Sequence, residues 1–144
     1  MVMISFINWW AVLVAALANM ALGFYWYSPA GFGTTWQKLI GITEKQIKDA
    51  KKKGMCMTMT RNILVMFISA SIMAFITANF AKYTGATDLI SGLQLGFHIW
   101  LGYIATVMIG TVIWEGKPFK LYAINAGYWL VSLLVMASIV VVWQ

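Results

Sequence analysis

Four long stretches of apolar residues, separated by short polar segments, define the pattern of this chain. They run over about residues 4–27, 62–81, 89–114 and 121–143, and none has Asp, Glu, Lys or Arg in its interior. Each is close to the roughly 20 residues that an α-helix needs to cross a bilayer. Because the stretches are apolar on all faces, they favour helices over the alternating strands of a barrel. The sequence therefore predicts an all-α membrane protein with four transmembrane helices in one domain, residues 1–144.

The link between the first two stretches, residues 28–61, is the longest polar part of the chain. Pro29 is expected to end the first helix, because the residue before a proline avoids helical geometry. Thr43 and Gln46 have the spacing of a capping box and predict a short basic amphipathic helix over about residues 44–53. Trp36, with Leu39 and Ile40 at helical spacing, is expected to rest on the membrane surface.

Positive charge is concentrated in this link. Only 10% of the residues are charged, yet the formal net charge is +6. The lysines of the predicted basic helix are the expected contacts to lipid headgroups: Lys45, Lys48, Lys51, Lys52 and Lys53. Their position beside a membrane helix favours anionic lipid over nucleic acid as the partner. Since cytoplasmic loops are enriched in Lys and Arg, we expect the link in the cytoplasm, both termini outside, and the protein in the cell inner (cytoplasmic) membrane.

Small residues at four-residue spacing predict where helices approach each other closely in lipid. The positions expected to serve helix packing are Gly92, Gly96, Gly102, Gly110, Ala70, Ala74 and Ala78. In the third stretch, Gln94, His98 and Thr106 share a slanted line with Gly102 and Gly110, because a step of four residues turns about 40° around a helix. This line has two interpretations, a packing surface or the lining of a path through the membrane.

His98 is the one ionisable side chain deep within a predicted span, which makes it a functional candidate. Together with Gln94, Thr106, Asn19 and Asn125, it forms the set that could line a pathway or bind a ligand. The alternatives for His98 are a neutral side chain hydrogen-bonded to Gln94 or another helix, or an axial ligand of a metal or haem. Asn19 and Asn125 could instead serve as interhelical hydrogen-bonding groups.

Soft metal ligands cluster at the start of the second stretch. Met55, Cys56, Met57 and Met59 offer thioether and thiol sulfur, the donors that Cu(I) prefers. We favour the alternative, an apolar lead-in to the helix, because no second run of ligands accompanies them, and we expect neither a metal site nor a cofactor. The sequence contains no phosphate loop, no metal-helix motif and no nucleophile with an evident base, so an enzyme is the less favoured class.

Several short motifs resemble the domain of unknown function 1761 family across nearly the whole chain. The motif Trp26-Tyr27-Ser28-Pro29 is the most specific of them. The others are Ile7-Asn8-Trp9, Gly23, Gly33, Trp36, Gly41-Ile42-Thr43, Gly96, Trp100-Leu101-Gly102, Glu115-Gly116, Ile124-Asn125 and Gly127-Tyr128. The resemblance implies a bacterial or archaeal membrane protein with four helices, and it implies neither an established activity nor functional residues.

Three hypotheses for the function follow from these observations. Four helices enclose little space, so we expect a homo-oligomer, and the leading hypothesis is a small-solute or ion pathway around His98. The second hypothesis is a non-transporting partner, scaffold or lipid-binding protein that acts through its basic link. The third is a small membrane enzyme, for which the sequence lacks a cytoplasmic-side cluster of Arg and Glu.

Overall fold

The computed structural model describes residues 7–43, 45, 46, 49 and 55–143, with the backbone alone for residues 55–58. Every regular element within these residues is a helix. The first three and the last are α1 (Trp9–Trp26), α2 (Gly33–Leu39), α3 (Met55–Thr84) and α5 (Phe119–Val142). The fourth, α4 (Leu89–Ile113), is α-helical over Leu89–Ile99, Thr106–Met108 and Gly110–Ile113, with a π-helix over Trp100–Ala105.

Four of these helices, α1, α3, α4 and α5, are long and apolar enough to cross a membrane. This confirms the prediction of an all-α protein with four membrane-crossing helices. At most helix ends, the observed bound lies within a few residues of the predicted one. The largest difference is at α3, which begins at Met55, ahead of the predicted start at residue 62.

The helix α5 lies at the centre of the bundle and packs on α1, α3 and α4. The core between α1, α3 and α5 is built largely from small side chains, and Ala15, Ala16, Ala74 and Ala81 are fully buried in it. In lipid, helices gain little from excluding water from each other, so close van der Waals packing of small residues is the main attraction. The alanine content of α1 and α3 therefore sets how near α5 can approach.

The two ends of the bundle carry different parts of the chain. Asn8 donates from Nδ2 to the carbonyl oxygen of Trp143 at 3.0 Å, so both ends of the chain meet at what we term the terminal end. The opposite, connector end holds the last turn of α1, the short helix α2 and the first turn of α5. The links from α1 to α3 and from α4 to α5 therefore lie at the connector end, and the link from α3 to α4 lies at the terminal end.

The connector between α1 and α3 contains the predicted capping box. The backbone N–H of Thr43 donates to Gln46 Oε1 at 2.9 Å, and the N–H of Gln46 donates to Thr43 Oγ1 at 3.3 Å. Residues 45, 46 and 49 are helical. Most of the predicted basic helix over residues 44–53 lies outside the described residues, as do four of its five lysines.

The residues of α4 that contact α5 form a line along the helix, and their spacing in the sequence changes from four to five. Gly92 and Gly96 are buried against α5, and a Cβ added at Gly96 would lie 2.6 Å from the carbonyl oxygen of Leu133. The line continues at Trp100, whose indole donates to the carbonyl of Ala126 at 2.8 Å, and at the buried Ala105. A π-helix closes its hydrogen bonds over five residues instead of four. The π-helix therefore accommodates the step from a spacing of four to a spacing of five and keeps this line on α5.

Candidate functional site

A network of aromatic and amide groups joins α1, α2 and α5 at the connector end. Asn125 Oδ1 accepts hydrogen bonds from the Tyr27 hydroxyl and from the Trp36 indole, each at 3.1 Å. Deeper in the bundle, the Tyr128 hydroxyl donates to Asn19 Oδ1 at 2.9 Å. The rings of Tyr27 and Tyr128 are 5.3 Å apart, so the two hydrogen-bonded groups form one continuous cluster.

The turn after α1 brings Trp36 into this network. The chain folds back so tightly that a Cβ at Gly31 would lie 2.6 Å from the carbonyl oxygens of Tyr25 and Trp26. A Cβ at Gly33 would collide with the carbonyl of Tyr27. The glycines therefore allow α2 to pack beneath the start of α5. Trp36 was expected on the membrane surface, but its indole turns inward because Asn125 offers an acceptor there.

Next to this network lies a crevice between α1, α3 and α5, with a volume of about 330 Å³. We term it the connector-end crevice. Its polar wall consists of Asn19, Tyr27 and Tyr128, and its far wall is formed by α3 from Val65 to Met73. The mixture of an apolar lining with a few polar groups is typical of small-molecule sites.

The other predicted candidates lie on a different surface. Gln94, His98 and Thr106 are exposed on α4, on the side that α5 does not cover. The Thr106 hydroxyl donates to the carbonyl of Gly102 at 2.8 Å, within its own helix. The structure thus brings Asn19 and Asn125 together with the connector-end network, and it keeps them apart from Gln94, His98 and Thr106.

Within the described residues, the ring of His98 makes one hydrogen bond, from Nδ1 to the backbone carbonyl of Gln94 at 2.6 Å. A carbonyl can only accept, so Nδ1 is the donor and Nε2 is left without a partner there. The side-chain amide of Gln94 makes no hydrogen bond to any part of the chain that the structure describes. His98 is nine residues into α4, about 14 Å from its start.

A cleft of about 280 Å³ runs from the turn between α3 and α4 to His98. Its polar lining comes from Thr84, Ser91, Gln94 and His98. Because this turn lies at the terminal end, the cleft opens toward that side of the bundle. It connects this turn to the imidazole of His98.

The small residues predicted for helix packing fall into two groups. Gly92, Gly96, Ala70, Ala74 and Ala78 are buried between helices of the chain. Gly102 is exposed, and an added Cβ there would meet no described atom within 4 Å. Gly110 is half-buried, and an added Cβ would meet only the Trp114 ring of its own helix region. The second group therefore leaves space beside α4.

The predicted lipid and metal ligands are mostly beyond what the structure describes. Lys45 is exposed, and Lys48, Lys51, Lys52 and Lys53 lie outside the described residues. The side chains of Met55, Cys56 and Met57 also lie outside them, and Met59 is exposed. Among the residues that are described, no group of three or more His, Cys, Asp or Glu could hold a metal ion.

Sequence reasoning missed the aromatic donors of this site. Tyr27, Tyr128 and Trp36 were not singled out as site residues, and neither were Trp26 and Trp100, whose indoles donate to backbone carbonyls of α5. The available signal was the motif Trp26-Tyr27-Ser28-Pro29 followed by Trp36, because aromatic groups with polar tips usually find a hydrogen-bond partner when they are buried.

These features define a class, the small integral membrane protein with four crossing helices and a short helix packed under one end. Within that class the chain belongs to the family described as protein of unknown function DUF1761, whose model matches residues 10–141. The predicted family is therefore confirmed. No curated protein and no solved structure matches the chain.

Proposed function

We propose that the protein self-associates through the exposed face of α4 and forms a pathway for small solutes or ions beside His98. The observation that carries the proposal is the position of unpartnered polar groups on this face. Within the described residues, the amide of Gln94 and Nε2 of His98 have no hydrogen-bond partner, although both lie within a membrane-crossing helix. Polar groups in such a position normally face protein or a water-filled cavity.

A second copy of the chain is the partner that this face fits best. A side-chain amide contains both a donor and an acceptor, so Gln94 can pair with Gln94 of another copy. Gly102 leaves open space on the same line, which allows close approach of a neighbouring backbone. The cleft from the terminal end to His98 then supplies the entrance of the pathway.

The orientation and the lipid contacts form part of the proposal. We place the connector end in the cytoplasm and both termini outside, in the inner membrane, because the lysines are concentrated in the link. Lys45, Lys48, Lys51, Lys52 and Lys53 would then contact anionic headgroups, at about 1 kcal/mol for each. The bond between Asn8 and Trp143 agrees with termini on one side. Reporter fusions at either terminus test this orientation, which a cytoplasmic signal would contradict.

The pathway is tested with purified protein in liposomes. Proton entry is followed with a trapped pH-sensitive dye and glycerol entry by light scattering. We expect one of the two fluxes to rise with wild-type protein and to fall by about tenfold or more in His98→Ala. Gln94→Leu should shift the protein toward monomers, counted by photobleaching in the same vesicles.

Leu93→Ala is the matched control, since Leu93 is exposed on α4 but points about 100° away from Gln94. It should leave both flux and assembly unchanged. A wild-type protein that is monomeric in vesicles, or that raises neither flux, would refute the proposal.

A further inference from the structure

The connector-end crevice is independent of the α4 face and has the properties of a ligand site. Its volume of about 330 Å³ is at the lower end of the range for small-molecule sites, about 300–1,000 Å³. Most of the lining is apolar, with Met66, Ala70 and Met73 on the wall of α3. A ligand that fills it must therefore be mainly hydrophobic.

The crevice opens sideways, toward the region where lipid chains lie. From Met59 to Ser69, no residue of α3 is buried, although residues 70–81 of the same helix pack closely on α1 and α5. Val65 and Met66, at the edge of the crevice, are 58% and 47% exposed. A molecule dissolved in the bilayer can thus enter between α3 and the other two helices without crossing an aqueous phase.

Two hydrogen-bond donors at the crevice lack an acceptor. Asn19 is only 6% exposed, and its oxygen is bonded to Tyr128, but its Nδ2 has no partner in the described part of the chain. The hydroxyl of Ser69, which is exposed on the wall of α3, also has no partner among the described residues. By contrast, the amides of Asn8 and Asn79 both donate to backbone carbonyls. A few convergent polar groups in an apolar lining are what orient a ligand in a small-molecule site, so these two free donors indicate a ligand that presents an acceptor oxygen.

The depth of Asn19 in the bundle and the aromatic lining of the crevice restrict the class of ligand. Asn19 is seven residues before the end of α1 at Trp26, about 10 Å inside the connector end. The ester carbonyls of phospholipids lie near the headgroups, so they are too shallow to reach it. Tyr27, Tyr128 and Trp129 line the crevice with flat rings, which suit a flat ring in the ligand.

We infer that the connector-end crevice binds a flat, lipid-soluble carbonyl compound of the quinone type. Asn19 Nδ2 and the Ser69 hydroxyl donate to its carbonyl oxygen, and the aromatic residues of α1 and α5 contact its ring. This is a binding site, and the inference includes no redox step.

The probe is menadione, a naphthoquinone, and the comparison compound is 2-methylnaphthalene, which has the same ring and methyl group but no carbonyl. Binding to the full chain in detergent is measured by calorimetry and by quenching of tryptophan fluorescence. We expect saturable binding of menadione and about tenfold or more weaker binding of 2-methylnaphthalene, the equivalent of about one lost hydrogen bond.

Ser69→Leu removes one donor and fills the crevice without breaking a hydrogen bond among the described residues, so it should abolish menadione binding while the fold is retained. Ser71→Leu is the matched control on the same helix, because Ser71 lies outside the crevice and bonds to its own backbone at Phe67. Asn19→Leu should weaken binding as well, but it also removes the acceptor of Tyr128, so Ser69→Leu decides.

Three results would overturn the inference. The first is equal affinity for the two compounds, and the second is unchanged affinity in Ser69→Leu. The third is a phospholipid that native mass spectrometry finds retained by wild-type protein and lost in Ser69→Leu, since the crevice would then be a phospholipid site. None of these results depends on flux or on self-association, so this inference and the proposed function can fail separately.

Discussion

The helices α4 and α5 lie side by side, have nearly equal length and are similarly apolar, yet they are held in place by different means. Of an apolar 18-residue stretch of α5, 50% is buried within the bundle, against 11% of such a stretch of α4. Pro118, which precedes α5, supplies no side-chain cap to it. Neighbouring elements instead donate hydrogen bonds to α5 from Tyr27, Trp26, Trp36 and Trp100. α4 begins with a capping box between Asp88 and Ser91, and its polar groups His98 and Thr106 bond to its own backbone.

The difference shows how one hydrophobic pattern can serve two purposes. Burial and tertiary hydrogen bonds fix α5, so its polar residues contribute to the fold. α4 depends more on local hydrogen bonds and on one packed face, which leaves its other face free to meet lipid or a partner. Variants on the two helices can therefore separate residues that hold the fold from residues that face outward.

The largest expected difference in stability is between two glycine substitutions on α4, one on the face packed against α5 and one on the exposed face. Gly96→Ala places a methyl group 2.6 Å from the backbone oxygen of Leu133, so α4 and α5 must separate. We expect a loss of about 1–3 kcal/mol in the free energy of unfolding, measured by denaturant titration in mixed micelles. Gly102→Ala meets open space and should cause no loss in the monomer. Equal losses for the two variants would mean that the faces do not differ.

A smaller effect is expected when one hydroxyl is removed from each helix. Tyr128→Phe on α5 leaves the buried oxygen of Asn19 without its donor, which should cost about 1 kcal/mol of unfolding free energy. Tyr103→Phe on α4 removes a hydroxyl from a residue that is 70% exposed, and it should have no effect on the monomer. If both variants were neutral in the same titration, the hydrogen bond to Asn19 would contribute nothing to the fold.

The smallest effect concerns the cap of α4 and its dependence on pH. The backbone N–H of Ser91 donates to the Asp88 carboxylate at 2.8 Å, which lowers the pKa of Asp88 from its usual 3.8. The folded state thus favours the charged form, so the stabilisation is complete above pH 3.8 and is lost as the pH falls through the lowered pKa. Asp88→Ala should slightly lower the melting temperature at pH 7, and the difference from wild type should shrink below pH 3.8.

Glu115→Ala, beyond the other end of α4, serves as the control for the loss of a carboxylate. It should leave the melting temperature unchanged at both pH values. A difference between Asp88→Ala and wild type that stays constant with pH would show that the cap does not act through its charge.

The four helices were predictable because hydrocarbon as a solvent imposes a simple rule, long uncharged stretches with all backbone groups bonded internally. The capping box of Thr43 and Gln46 was predictable because it is local, involving residues only three apart in the chain. The partners of Asn125 were not, because Tyr27 and Trp36 are 98 and 89 residues away in the chain. The hydrophobic pattern also could not show which face of α4 is free, since its line of small and polar residues was compatible with both a packing surface and a pathway lining.

The position of Trp36 illustrates the limit most directly. Its spacing from Leu39 and Ile40 correctly indicated a helix, which is α2. The expected position of the Trp36 side chain was wrong, because a helix on the membrane surface and a helix packed against the end of a bundle have the same pattern of apolar residues. Only the amide of Asn125, from a distant helix, decides between them.

The wide turn of α4 at Trp100–Ala105 lets that helix hold one residue more than a regular α-helix with the same sides outward. Deleting one residue there, such as Gly102, would give an unbroken α-helix in which Ala105 stays on the side of α5, because it would follow Trp100 at a step of four. If the same residues formed an unbroken α-helix without the deletion, Thr106 and Val107 would instead rotate by about 100° relative to His98. The extra residue and the wide turn therefore compensate each other, and a change in either one alone would alter which side chains α4 presents to the outside.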